Sequence, residues 1–357
     1  MEEYQQMSIF DVMYENYKIT KPIRLIELFA GIGSQAKALK NIGANFETYK
    51  VVEFDKYAIA SYNAIHDTNF NTLDITQISG DDLEIKDTDK YEYIMTYSFP
   101  CQDLSLAGNQ KGMSKDSNTR SGLLWEVERI LHECEELPQI LLMENVPMIH
   151  SKDNIHDFNQ WINVLEKLGY KNYWKDLNAK HYGIPQNRNR TFMISILGDY
   201  NYVFPTRKKL KLRLKDMLED CVDESYYLSE KQLKQINEKI KKYNKKYLKD
   251  NTYILNNYNK IEFLIFDYRM DEGLRIRKDN ICPTLTTRNV TSITNVPIVI
   301  INGKIRFLIP KECLRLMGFS DEDYEKASKV NSKAQLYKQA GNSIVVNVLM
   351  EIFKQLF

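Results

Sequence analysis

The chain has 357 residues, enough for two domains or for one large domain carrying an inserted lobe. Hydrophobic residues make up 43% and charged residues 27%, a globular composition with no apolar run near the roughly 18 residues of a membrane span. Five cysteines without a C-x-x-C pair and five scattered histidines argue against a disulfide framework and predict no metal site.

The opening MEEYQQMSIF lacks the basic, apolar and cleavage regions of a signal peptide, so a cytoplasmic protein with no membrane partner is expected. Net charge is only +1, and global charge does not announce a nucleic-acid binder. Charge is uneven, however: Pro205 to Lys249 holds fourteen Lys or Arg against seven Asp or Glu. A local basic surface of that kind can neutralise phosphates even in a near-neutral protein, although a solvated helix face reads the same way.

Residues 1–22 read as an extension preceding the first strand. From Ile23 onward strand-like and helix-period stretches alternate. IRLIELFA (23–30) runs through a glycine turn into SQAKALKNIG, and ETYKVVEF (47–54) into DKYAIASYNAI. A third short strand is expected to end at Leu73-Asp74-Ile75. YEYIMTYSF (91–99) leads through a glycine-bearing loop to GLLWEVERILHECEEL, and QILLMENV (139–146) to another helix ending near Gly169. Alternation of this kind predicts a mostly parallel sheet flanked by helices, an α/β Rossmann-like fold.

After Gly169 the aromatic, alternating segments YKNYWKDLNA and RTFMISIL predict antiparallel additions to one sheet edge. Residues from 198 are rich in Lys, Asn and Tyr and lose the strand–helix rhythm, which predicts a smaller separate lobe. The expected organisation is a catalytic and cofactor-binding domain at 23–197, a lobe region at 198–305, and a C-terminal segment, 306–357, returning to the first domain.

LFAGIGS sets Gly31 and Gly33 between an apolar strand and a helix, where the backbone can approach a ligand and free N–H groups face it. Glu53, twenty positions after Gly33 and at the end of the next strand, stands where nucleotide-binding α/β folds keep a carboxylate for ribose hydroxyls. Asp74 suits an adenine amino group. Ala36 occupies the third position of G-x-G-x-x-G, so an adenosyl ligand without phosphates fits better than a dinucleotide. S-adenosylmethionine is such a ligand.

Ser98-Phe99-Pro100-Cys101-Gln102 and Glu144-Asn145-Val146 end two further strands, which places a thiol and a carboxylate on the ligand-binding edge of a parallel sheet. A lone Cys is ordinarily a small buried hydrophobe. Its pairing with Glu144 at a neighbouring strand end points instead to catalysis.

With these motifs, and with TRSGLLWEVERIL, YGIPQNRNRTFMIS, CPTLT and QAGNSIVVNVL in the same order, the chain resembles the cytosine-C5 DNA methyltransferases of the bacterial type over residues 23–357. The resemblance implies that Cys101 is the nucleophile attacking cytosine C6 and that Glu144 binds the base at N3 and the exocyclic amine. It implies that Arg188 and Arg190 position the cytosine and the catalytic loop. Phe29, Gly31, Gly33, Glu53, Phe54, Asp74, Ile75, Pro100, Leu123, Asn342 and Ser343 then surround the cofactor, although Asn342 and Ser343 also suit a helix N-cap. The region 198–305 falls where the family recognises its target, with Gln102, Arg120, Arg269, Arg275, Arg277 and Arg288 as candidate DNA contacts. Ser34, Phe54 and Ala107 depart from residues common in the family.

The implied partner is double-stranded DNA, bound by a monomer that flips its target base. The implied setting is a bacterial or phage-infected cytoplasm, with a restriction endonuclease as a separate companion. A tRNA cytosine-C5 methyltransferase of the same lineage and a DNA-binding regulator on this fold are the alternatives. Residues 102–120 are expected to close over the flipped base. Replacing Gly108 and Gly112 with proline should lower turnover; unchanged turnover in a methyl-transfer assay would refute loop closure.

Overall fold

The computed structural model describes residues 14–100, 113–115, 121–243, 253–254, 256–269, 273–288 and 294–357. Its main sheet has six strands in the order β2-β1-β3-β4-β7-β5. These are β1 (Ile23–Leu28), β2 (Phe46–Val52), β3 (Glu92–Tyr97), β4 (Ile140–Asn145), β5 (Tyr170–Asn178) and β7 (Asn189–Leu197). The first four run parallel, and β7 and β5 add antiparallel to the β4 edge as expected.

The interior strands are buried on both faces: every residue of β3 and β4 is buried, as their near-continuous apolar sequences require of a sheet covered on both sides. One face packs Leu25, Ile94, Ile140 and Leu142 against helices α1 (Ser34–Asn41) and α9 (Val346–Phe353). The other packs Ile26, Met95, Tyr97 and Met143 against α3 (Leu124–Glu133) and α4 (Ile155–Lys167), with Trp125 and Trp161 edge to face. The C-terminal segment thus returns to the first domain.

The short strand expected at Leu73-Asp74-Ile75 does not form. Leu73 N donates to Glu53 O at 3.0 Å, and Asp74 caps a single turn, Ile75–Gln77. β2 is left as the edge strand of the sheet. Asn342 and Ser343 do not begin a helix either. Asn342 ends α8 (Lys333–Asn342) and Ser343 is its C-cap, its Oγ donating to Gln339 O at 2.7 Å. The aliphatic run after Ile344 begins the next helix later, with Val345 as its N-cap.

A second, antiparallel sheet has the order β12-β11-β8-β9, formed by β8 (Phe263–Arg269), β9 (Gly273–Ile276), β11 (Pro297–Ile301) and β12 (Lys304–Phe307). One face builds a core of its own from Phe266, Tyr268, Leu274, Ile298 and Ile300, with Ile305 and Phe307 of β12. Helix α5 (Glu230–Tyr243) contributes Leu233 and Ile236 to that core. The odd-numbered residues Ile265 and Val299 join the core of the large domain.

At the junction Arg306 and Glu312 form a fully buried pair, with Arg306 Nη2 to Glu312 Oε1 at 2.8 Å and Nη1 to Oε2 at 2.9 Å. The amides of Glu219 and Ile309 donate to the same carboxylate at 2.8 and 2.9 Å, so neither oxygen is left unsatisfied. Removing one member of such a pair leaves a buried charge alone. Glu312→Ala should therefore lower unfolding stability by about 3–5 kcal/mol, measured by urea denaturation.

Candidate active site

Because the first four strands are parallel, their carboxyl ends share one edge. The sequence-predicted groups gather there: Phe29–Gly33 after β1, Glu53 after β2, Ser98–Pro100 after β3 and Glu144–Val146 at the end of β4.

The loop after β1 is tightly determined. Phe29, Gly31 and Gly33 all have positive φ, at 58°, 58° and 79°. Space beside Gly31 is open, with nothing within 4 Å of the place a Cβ would take. Gly33 is the opposite case: a Cβ there would lie 2.2 Å from His66 Nε2 and 2.7 Å from Tyr62 Cε2. Both rings come from α2 (Lys56–His66) and hold the loop from below. His66 Nε2 meets Ile32 O at 3.1 Å, and burial pushes its pKa down to about 4, so the ring is neutral. Tyr62 OH donates to the buried carboxyl of Glu27, whose pKa burial raises to about 7. These three supports were not singled out in the sequence, because only packing reveals them.

Glu53 bridges the loop and the second strand end, accepting from Gly31 N at 2.9 Å and from Asp55 N at 2.8 Å. Burial raises its pKa, and those two amides oppose the shift. Next to it the Phe54 ring is 76% exposed, a face available for stacking. Asp74 Oδ1 accepts from Thr76 N at 3.0 Å and from Thr76 Oγ1 at 2.9 Å, which fixes the carboxyl near Ile75. An acid and open backbone beside an exposed ring fit a nucleoside. The third glycine of the dinucleotide pattern, which allows close helix–strand packing, is replaced by Ala36, which is buried.

The catalytic edge is ordered through Asn145. Its Nδ2 donates to Phe99 O at 3.2 Å, tying the end of β4 to the turn that leads into Cys101, and Ser121 Oγ holds Pro100 O at 2.8 Å. Leu123 follows in the turn Ser121–Leu123 and packs on the core. Cys101, Gln102 and Arg120, with Ala107, Gly108 and Gly112, lie outside the described residues. β3 and β4 are hydrogen-bonded neighbours, and strands so paired stand about 4.8 Å apart.

Glu144 is buried, and Arg190 Nε lies 3.1 Å from its Oε1. Burial raises the Glu144 pKa, with Arg190 and then Arg188 pulling it back. The two arginines are not equivalent. Arg188 is buried and donates to Leu285 O at 3.1 Å, Gly341 O at 3.0 Å and Ser343 O at 2.9 Å. It clasps three chain segments together, whereas Arg190 serves the carboxylate.

Among the DNA-contact candidates, Arg269 and Arg275 lie on β8 and β9, and Arg277 immediately follows β9. Arg288 stands apart, reaching Thr294 Oγ1 at 3.3 Å and lining a crevice against Tyr337 and Ala340 of α8.

Such a sheet edge is that of an α/β transferase. Residues 23–357 match the C-5 cytosine-specific DNA methylase family, and the chain belongs to it. It is accordingly an enzyme of cytosine-C5 methylation in DNA, in a family of S-adenosylmethionine-dependent methyltransferases. Type II methyltransferase M2.ScrFI of Lactococcus lactis subsp. cremoris is 34% identical, covering 94% of this chain and 99% of its own. Type II methyltransferase M.HhaI of Haemophilus parahaemolyticus is also 34% identical, over 92% and 93%. Orphan methyltransferase M.SssI of Spiroplasma monobiae is 32% identical, over 94% and 98%.

Among solved structures, the Entamoeba histolytica methyltransferase EhMeth has the same fold, with a TM-score of 0.69 at 19% identity over 95% of this chain and 98% of that one. No helix among the described residues is long and apolar enough to cross a membrane.

Gly33→Ala combines a strained φ with the overlap on His66 and Tyr62, and strain of this kind costs about 1–3 kcal/mol. The melting temperature should fall by a few degrees, and S-adenosylmethionine affinity, measured by calorimetry, by about tenfold or more.

Proposed function

We propose that this chain methylates carbon 5 of a flipped cytosine within a short specific duplex sequence, with Cys101 as nucleophile. The observation that carries the reading is the buried Glu144–Arg190 pair at the end of β4, beside the Phe99–Pro100 segment that follows β3. Phe29, Gly31, Gly33, Glu53, Phe54, Asp74, Ile75, Pro100, Leu123 and the Asn342–Ser343 turn would hold S-adenosylmethionine. When bound, that group supplies an electrophilic methyl for C5.

The chemistry of the chain's own residues follows from the weakness of cytosine C5 as a nucleophile. The Cys101 thiolate adds to C6, forming an S–C bond and leaving C5 electron-rich. Thiolate is accessible because a cysteine has an ordinary pKa of about 8.5. Glu144, held toward its protonated form by burial, donates to N3 and accepts from the exocyclic amine, stabilising charge as it develops. Arg190 fixes the orientation of that carboxyl. Loss of the C5 proton and elimination of the thiolate restore the ring and free Cys101.

The region 198–305 would recognise the target, with Gln102, Arg120, Arg269, Arg275, Arg277 and Arg288 toward DNA. A monomer suffices for an asymmetric reaction on one base. The setting we infer is the cytoplasm of a bacterium or of a phage-infected host, where an endonuclease acting separately would complete a restriction-modification pair. The type II names of the relatives support that last reading.

Purified protein with methyl-labelled S-adenosylmethionine and mixed-sequence duplex DNA should place label on cytosine C5 at one short motif. Cys101→Ala should abolish it. Label on tRNA instead of DNA would overturn the assignment.

Glu144→Gln supplies a second test. Raising the carboxyl pKa keeps its proton to higher pH, and the protonated fraction falls as pH rises through that value. The wild-type profile of kcat/KM should therefore show an alkaline limb placed above the ordinary carboxylate range. The Gln variant should lack the limb and turn over about a hundredfold more slowly or worse.

A further inference from the structure

The second sheet carries a charge cluster that catalysis does not use. Asp267 lies at the centre of β8, and its side chain is only 4% exposed. Register places it opposite Arg275 on β9, and Arg277 N continues the ladder to Ile265 O at 2.9 Å. Arg275 Nε donates to Asp267 Oδ2 at 3.1 Å, with its Nη2 on the same oxygen. Arg277 Nη2 donates to Oδ1 at 2.9 Å. One carboxylate thus holds two guanidiniums.

The face on which they sit is decisive. On β8, β9 and β11 the even-numbered residues build the lobe's own core, whereas odd-numbered Ile265 and Val299 pack with Cys282, Leu285 and Leu308 on the large-domain side. Asp267, Arg275 and Arg277 are odd-numbered and share that side. Cys282–Pro283 (β10) pairs in parallel with Gln186–Asn187 (β6), the segment that runs into Arg188 and Arg190. β10 packs against β8, so the cluster stands close to that junction. Arg275 and Arg277 nonetheless remain 25% and 26% exposed. Their guanidinium tips are held on Asp267, and each side chain stays partly open on the side of the sheet that packs toward the large domain.

A guanidinium carries its donors in a rigid fork, and a fork held at a set angle matches the O6 and N7 acceptors of guanine in the major groove. A mobile arginine would instead pair with any phosphate. We propose that Asp267 is a positioning residue for target choice: it holds Arg275 and Arg277 so that Arg277 reads a guanine in the recognised sequence. This rests on reading residues 198–305 as the target-recognition region.

The test is methylation of a random-sequence duplex library, mapped at base resolution, by the wild type, Arg277→Lys and Asp267→Asn. The wild-type motif should contain a guanine besides the partner of the methylated cytosine. Arg277→Lys keeps the charge and loses the fork, so preference for that guanine should fall about ten- to a hundredfold at one position only. Asp267→Asn should relax the same position. Arg277 is surface-rooted, so its variant keeps the test open if the Asn variant folds poorly. S-adenosylmethionine binding should be unchanged in both.

A uniform drop across all sequences with the motif intact would overturn the proposal, as would a wild-type motif without such a guanine. No transfer to DNA by the wild type would instead sink the DNA reading, and this proposal with it.

Discussion

Parallel strands buried on both faces can offer chemistry only where they end. Each residue of β3 and β4 is enclosed, so neither face of the central sheet has room for a substrate. Alignment of four strands in one direction brings their carboxyl termini to a single edge, where Gly31, Glu53 and Glu144 stand. The hydrophobic cores on either side keep that edge in register. Catalytic geometry is in this sense a by-product of strand direction.

Two kinds of support hold the edge. Under the cofactor loop, Tyr62 and His66 press against Gly33 while Glu53 ties Gly31 to the second strand end. The loop cannot relax toward ordinary backbone without losing those contacts, so its positive-φ conformation is already set before a ligand arrives. At the catalytic end, Asn145 and Ser121 fix the turn that enters Cys101. Glu144 is buried, which raises its pKa, and is partnered by Arg190, which opposes the shift.

Arg188 shows how the two domains are coupled. Its guanidinium joins the strand system to Leu285, 97 residues away, and to Ser343, 155 residues away. The buried Arg306–Glu312 pair performs a similar task between the second sheet and the C-terminal segment. Both are ionic groups whose hydrogen bonds are fully directional, which specifies one relative placement of the lobe where apolar contact alone would permit several.

By itself the sequence determined which segments are strands of a parallel sheet, where the antiparallel additions begin, and which residues fall at strand ends. Those features are local: apolar runs, glycine turns and an acid or thiol just beyond them. It also carried the family motifs, Pro100-Cys101-Gln102 and Glu144-Asn145-Val146 above all. It misread Leu73-Asp74-Ile75 as a strand end, since a short apolar–acid pattern looks alike whether or not a neighbouring strand is available. The N-cap that Asn342 and Ser343 also suited does not form, since cap-forming residues suit either side of a helix break.

Only tertiary structure separated Arg188 from Arg190, placed Tyr62 and His66 beneath Gly33, and joined Asp267 to two arginines. Each of those depends on which face a side chain takes and on what distant segment meets it. Burial and partnership are properties of packing, and packing is decided between residues that the sequence keeps far apart.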